Sequence, residues 1–276
     1  MQTLRNITWW LIGLITLGTF TLVVALSNLL TGQFWEVPQS AIIASYIGLA
    51  FGLLNPIKFF VLGDTLIHEV GHAQMAALTF GRVSFIRIER DTSGVTYFSG
   101  ARFFRRISEA LVSLSGPISS SVVFVITARF ISSELTSYWA IASAVFILLI
   151  LVTTVRNFWG WVIGLVLLGV LYLVLEASGY INPAVLGTEN LSRSSSLLTN
   201  TILAVTALNL GSAIRYSFRF RFPRNPGSDE FRFSQALFLP KAVGGHLILL
   251  IQLALAWLGM SYLLGWPSMF EIGRLI

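Results

Sequence analysis

The chain has 276 residues, of which 55% are hydrophobic and only 11% charged, with a formal net charge of +6 and no cysteine. Soluble domains carry roughly 25% charged residues, so this composition, with a mean hydropathy of +0.79, excludes an ordinary soluble globular domain. The missing cysteines exclude a disulfide scaffold, a thiolate metal site, an iron–sulfur protein and a cysteine nucleophile, and any bound metal must use His, Asp or Glu.

A membrane-spanning helix needs about 20 mostly apolar residues. In chain order, such stretches run over residues 8–30, 40–80, 109–131, 138–154, 158–175, 197–214 and 242–264. The first is read as an anchoring helix, because it is longer than a signal-peptide core and no clear cleavage site follows it. The second is too long for one straight span, and Asn55, Pro56 and Lys58 interrupt it; proline removes a backbone donor and disfavours helix just before itself, so a kink or break is expected there. The predicted fold is an all-α polytopic membrane protein of seven or eight transmembrane helices, one integral membrane domain over residues 1–276.

Between the second and third stretches lie Arg82, Arg87, Arg90, Arg102, Arg105 and Arg106, and before the last lie Arg215, Arg219, Arg221, Arg224, Arg232 and Lys241. Basic loops stay on the cytoplasmic side. Four apolar stretches separate these two loops, so both return to one side, and Arg156 falls on the inner turn at the midpoint. The positive charge thus marks inner loops beside a lipid bilayer, and nucleic acid is not an expected partner. Within the first basic loop, Val83, Phe85 and Ile88 alternate, residues 91–94 supply turn chemistry, and Val95, Tyr97 and Phe98 form a second β-prone run. This pattern predicts a short β-hairpin at the inner membrane surface.

The strongest chemical signal is His68-Glu69-Val70-Gly71-His72 on a predicted helix. Residues four apart share one helical face, so both imidazoles can reach a single tetrahedral zinc ion. Glu69 is turned about 100° from His68 and can take a proton from a water activated at the metal. Two of the three histidines in the chain fall within these five positions, inside an apolar stretch where ionisable groups are costly and mark function. A third ligand must come from elsewhere. Asp229, on the loop entering the last helix and on the same predicted side as His72, is favoured, with His246 second. Asp64 shares the face of His68 one turn back and is read as an acceptor that orients its ring.

Residues 68–100, HEVGHAQMAALTFGRVSFIRIERDTSGVTYFSG, resemble the M50B-like peptidase family, relatives of the site-2 proteases. Val155-Arg156-Asn157-Phe158-Trp159-Gly160 is similar to that family's Val-Arg-Asn-x-x-Gly turn, and Ser228-Asp229 followed by Phe238-Leu239-Pro240 to its Ser-Asp segment before the last helix. The resemblance implies a polytopic zinc protease that cuts membrane-protein substrates within or next to the bilayer, with His68, His72 and Asp229 as ligands and Glu69 as general base. It also implies a bacterial inner membrane or the membrane of a bacterium-derived organelle. Two departures stand out. The site-2 protease Asn-Pro-Asp-Gly is here Asn225-Pro226-Gly227, with Asp229 two residues later, and Ser120 stands where the substrate-handling asparagine of Gly-Pro-x-x-Asn would be. The alternatives are an inactive scaffold that retains the fold and a metal-handling channel. Substrate identity and oligomeric state are not written in the sequence.

Overall fold

The computed structural model describes residues 37–54, 61–89, 93–99, 105–178, 196–221 and 225–265. The expected anchor at 8–30, the break around Pro56, the hairpin turn at 90–92 and most of the outer loop at 176–196 lie outside these residues. In chain order come α1 (Gln39–Leu54), α2 (Val61–Leu78), β1 (Arg82–Ile88), β2 (Gly94–Ser99), α3 (Arg105–Ser132), α4 (Thr136–Thr153), α5 (Phe158–Ala177), α6 (Ser196–Phe220), α7 (Asp229–Ala236) and α8 (Lys241–Leu264).

Five of these helices, α3, α4, α5, α6 and α8, are long and apolar enough to cross a membrane, and the chain is a multi-pass membrane protein. The seven or eight spans expected also count residues 8–30 and the stretch 40–80, taken as crossing once or twice. That stretch forms two separate helices among the described residues, α1 with 16 residues and α2 with 18. The first is short for a span, and the second carries Asp64, His68, Glu69 and His72, which lower its apolarity.

Two apolar clusters organise the bundle. Phe124, Val125 and Ala128 of α3 pack with Leu203, Ala207 and Leu210 of α6 and with Tyr262 and Leu263 of α8. Leu62, Leu66, Val70 and Ala73 of α2 pack with Val83, Ile86 and Ile88 of β1 and with Ile150, Leu151 and Ile163 of α4 and α5. The outer faces of α4 and α5 stay apolar and exposed, as at Val145, Leu148, Val166 and Leu173, where lipid chains are the fitting solvent.

The hairpin departs from simple alternation. Its strands pair antiparallel with an irregularity between Val83 and Phe85, a bulge at Ser84 that resets the phase. Val83, Ile86 and Ile88 therefore face the core, while Phe85 stacks on Tyr97 on the other face at 4.2 Å between centroids. The outer edge of β1 is covered by the turn between α4 and α5. Ile86 N–H donates to the Thr154 carbonyl (3.2 Å) and Arg156 N–H to the Ile86 carbonyl (3.3 Å). Asn157 Oδ1 accepts from Ile88 N–H (3.2 Å) and its Nδ2 donates to the Ile88 carbonyl. The Val-Arg-Asn motif thus works as a plug for a strand edge that would otherwise expose unpaired backbone. Since Ile86 and Ile88 turn their main-chain groups away from β2, their partners Thr96 and Gly94 turn theirs away from β1. The free edge of the hairpin is β2, and β2 lies against α2.

Candidate metal centre

The His68 and His72 side chains project from one face of α2, and the chain returns 157 residues after His72 to place Asp229 beside them. His68 Nε2 lies 2.9 Å from Asp229 Oδ2 and 3.1 Å from His72 Nε2, and His72 Nε2 lies 3.2 Å from Asp229 Oδ2. These are the atoms through which the three residues could together hold a metal ion. A tetrahedral ion with bonds of about 2.0 Å sets its ligand atoms about 3.3 Å apart, close to the observed triangle. The donor chemistry agrees with the geometry. His72 Nδ1–H donates to the Val112 carbonyl of α3 at 2.7 Å, which fixes the tautomer and leaves the Nε2 lone pair facing the other two ligand atoms.

Asp229 is the first residue of α7, not part of a loop. Ser228 caps that helix by accepting from Phe231 N–H at 3.4 Å, and Asp229 and Glu230 occupy its first turn, where the helix dipole favours carboxylates. Ser-Asp-Glu before an aromatic residue is a start signal for a helix and would have revealed α7 in the sequence. Burial works against the charged form of Asp229, yet the His72 and His68 imidazoles outweigh it and hold the carboxyl well below the usual carboxylate range. On neighbouring Glu230, fully buried, burial dominates and pushes the carboxyl up to about 7.

Two glycines let other elements approach these side chains. A Cβ at Gly116 would collide with the His72 ring and sit 2.9 Å from His68 Nε2, so α3 can pass directly behind the imidazole pair only with glycine there. A Cβ at Gly94 would sit 2.6 Å from Glu69 Cγ and 2.7 Å from its Oε1, so β2 rests on the glutamate. Glu69 is buried, and Thr96 Oγ1 lies 2.6 Å from its Oε2, donating to it. Pro117, next to Gly116, removes the donor that would serve the Ser113 carbonyl, and Gln252 of α8 steadies this part of α3 by donating to the Pro117 carbonyl at 2.6 Å.

Asp64 takes a different place from the one expected. Its Oδ1 accepts from Ser120 Oγ of α3 (2.6 Å) and its Oδ2 from Ser212 Oγ of α6 (2.9 Å), so it ties three helices together, and its carboxylate is engaged by two hydroxyls and not by the His68 ring. Ser120 is thereby committed as a donor. His246 stands apart from the cluster, its Nδ1 donating to the Ala242 carbonyl at 2.6 Å.

His68, His72 and Asp229 border a cavity of about 1440 Å³, with Glu69, Gly94 and Thr96 on the β2 flank, Tyr216 on the α6 flank and Arg106 and Arg232 among its other lining residues. Thr96 and Tyr216 were not singled out from the sequence for this site, and Gly116 was read only as part of the Gly-Pro-x-x-Asn resemblance or as a packing kink. The Thr-Tyr-Phe run was legible only as strand, and Tyr216 falls beyond the end of its apolar stretch. A family model described as Peptidase M50B-like matches residues 40–259, about four fifths of the chain. No curated protein and no solved structure matches it. The matched region contains the imidazole pair, the hairpin, the Asn157 plug and Asp229, and the chain belongs to the M50B-like peptidase family.

Proposed function

We propose that the protein is a membrane-embedded zinc metallopeptidase that hydrolyses peptide bonds of membrane-protein substrates within or next to the bilayer, in a bacterial inner membrane or an organelle membrane descended from one. The observation that carries this reading is the convergence of two imidazole nitrogens and one carboxylate oxygen within 2.9–3.2 Å of one another at a cavity that Glu69 also lines. His68, His72 and Asp229 would hold the ion. Zinc, when bound, supplies Lewis acidity that polarises a carbonyl and brings the pKa of water toward 7.

The chain's own residues supply the rest. Glu69 accepts a proton from the attacking water as its oxygen bonds to the scissile carbonyl carbon, then returns it to the leaving nitrogen as the C–N bond breaks. Thr96 holds the Glu69 carboxylate in place through Oε2. A substrate unwound from its helix loses backbone hydrogen bonds, and the outward edge of β2 at Gly94, Thr96 and Phe98 offers replacements by strand addition. Because those residues also line the cavity, a strand added there would run past the reacting groups.

The test is elemental analysis of the detergent-purified chain, beside Asp229→Ala and Glu69→Gln, with cleavage of a panel of synthetic single-span peptides read by mass spectrometry. The expected result is about one zinc in the wild type, markedly less in Asp229→Ala, and zinc without cleavage in Glu69→Gln. Zinc binding with no peptide cut by the wild type would favour a scaffold that keeps the fold and the metal. Absence of metal under conditions that avoid stripping would overturn the reading.

A further inference from the structure

Amide hydrolysis places negative charge on the carbonyl oxygen, and a preorganised donor aimed at that oxygen is usually a large part of the catalysis. Several hydroxyls near the centre are already committed. Ser120 and Ser212 donate to Asp64, and Thr96 donates to Glu69. The position that the family resemblance would give to a substrate-handling side chain, Ser120, therefore has no proton to spare.

Tyr216 is differently placed. Helices α2 and α6 run parallel and meet in successive rungs: a Cβ on Gly63 would lie 3.2 Å from Asn209 Oδ1, Asp64 meets Ser212 at 2.9 Å, and His68 meets Tyr216 edge to face at 6.3 Å between ring centroids. The third rung puts a phenol beside a ligand of the candidate metal centre. Phe220, one turn further along α6, packs on the Tyr216 ring at 4.4 Å and limits its swing. The residue is 42% exposed and borders the cavity, so an occupant of that space meets it. Glu69, against β2, and Tyr216, on α6, border the same cavity.

We propose that Tyr216 is a catalytic residue whose phenolic O–H donates a hydrogen bond to the carbonyl oxygen of the scissile peptide as charge develops there. This rests on the metallopeptidase reading. The phenol keeps its proton throughout; proton transfer belongs to Glu69.

The experiment needs no known substrate. The full chain in detergent is loaded with cobalt(II), titrated with acetohydroxamate and followed by visible absorption, for wild type, Tyr216→Phe and Ser113→Ala, a second hydroxyl residue that borders the cavity, with cobalt content measured for each. Phenylalanine keeps the ring contacts with His68 and Phe220. The expected result is equal cobalt content in all three and acetohydroxamate affinity lower by about tenfold or more in Tyr216→Phe alone, the size of one lost hydrogen bond to a charged oxygen. Unchanged affinity in Tyr216→Phe, or a loss in Ser113→Ala instead, would overturn the assignment. So would loss of cobalt from Tyr216→Phe, which would make the ring a support for His68. A wild-type chain that takes up no cobalt, or whose cobalt spectrum ignores acetohydroxamate, would instead refute the metal reading on which the assignment rests.

Discussion

Replacing Gly116 by alanine separates the candidate metal centre from the stability of α3, the helix that passes behind it. Alanine in the middle of α3 favours helix by up to about 1 kcal/mol over glycine, so the substitution does not threaten the span itself. The added methyl, however, would sit 2.9 Å from His68 Nε2 and closer still to the His72 ring, whereas unbonded carbon and nitrogen rest about 3.5–4.0 Å apart. The His72 ring must therefore retreat by about 1 Å. That displacement lengthens its 2.7 Å hydrogen bond to the Val112 carbonyl beyond the range of a real bond, and it exceeds the roughly 0.2 Å tolerance of metal–ligand distances. Losing such a supporting contact alone typically lowers metal affinity 10- to 100-fold, so Gly116→Ala is expected to lose at least that much. The assay is competition for zinc with a calibrated chelator, paired with circular dichroism to verify helix content. Wild-type zinc affinity in a folded Gly116→Ala variant would refute the packing argument.

Three further outcomes follow from the same geometry. His246→Ala should leave zinc content unchanged, since its ring is engaged with Ala242; a loss of zinc matching that of Asp229→Ala would return His246 to the ligand set. Asn157→Ala should release the outer edge of β1, at a cost of about 1–3 kcal/mol for two backbone partners left unserved, and limited proteolysis should then cut within residues 82–99 while the helices persist. Phe98→Pro removes an outward donor of β2 without touching the β1–β2 ladder, so it should raise KM for a cleaved membrane peptide more than Phe98→Ala does; equal effects would argue against strand addition.

The parts of this molecule legible in the sequence are those set by local pattern. Apolar runs marked α3, α4, α5 and α8 closely, and α6 except for its last six residues, because lipid demands both length and apolarity. The His68 and His72 pairing followed from helical spacing alone. Asp229 needed a longer argument, from the parity of basic loops, and the structure brings it to the imidazoles. The hairpin was visible, but its inward face was not. Val83, Phe85 and Ile88 nearly alternate, and nothing about Ser84 announces a bulge, since a small polar residue accepts either backbone state. Asp64 is the clearest case of what spacing cannot say. Being four residues before His68 suggested a contact along the helix, whereas its oxygens are taken by hydroxyls 56 and 148 residues away.

That pattern of partners has a consequence for how the centre holds together. The ionisable groups on α2 are fastened by four other elements: Asp64 by α3 and α6, His72 by the Val112 carbonyl of α3, Glu69 by Thr96 of β2, and His68 by Asp229 of α7. A buried charge is tolerable only when paired and hydrogen-bonded, so the side chains that make α2 too polar to be a good span are also those that bind it to its neighbours. The same contacts that offset the cost of burial hold the imidazoles, the Asp229 carboxylate and Glu69 at fixed spacing. Site geometry of this kind depends on supporting groups that lock the rotamers, and here the support comes from elements distant in sequence. A helix that satisfied lipid better would carry fewer of these groups and would have nothing to position.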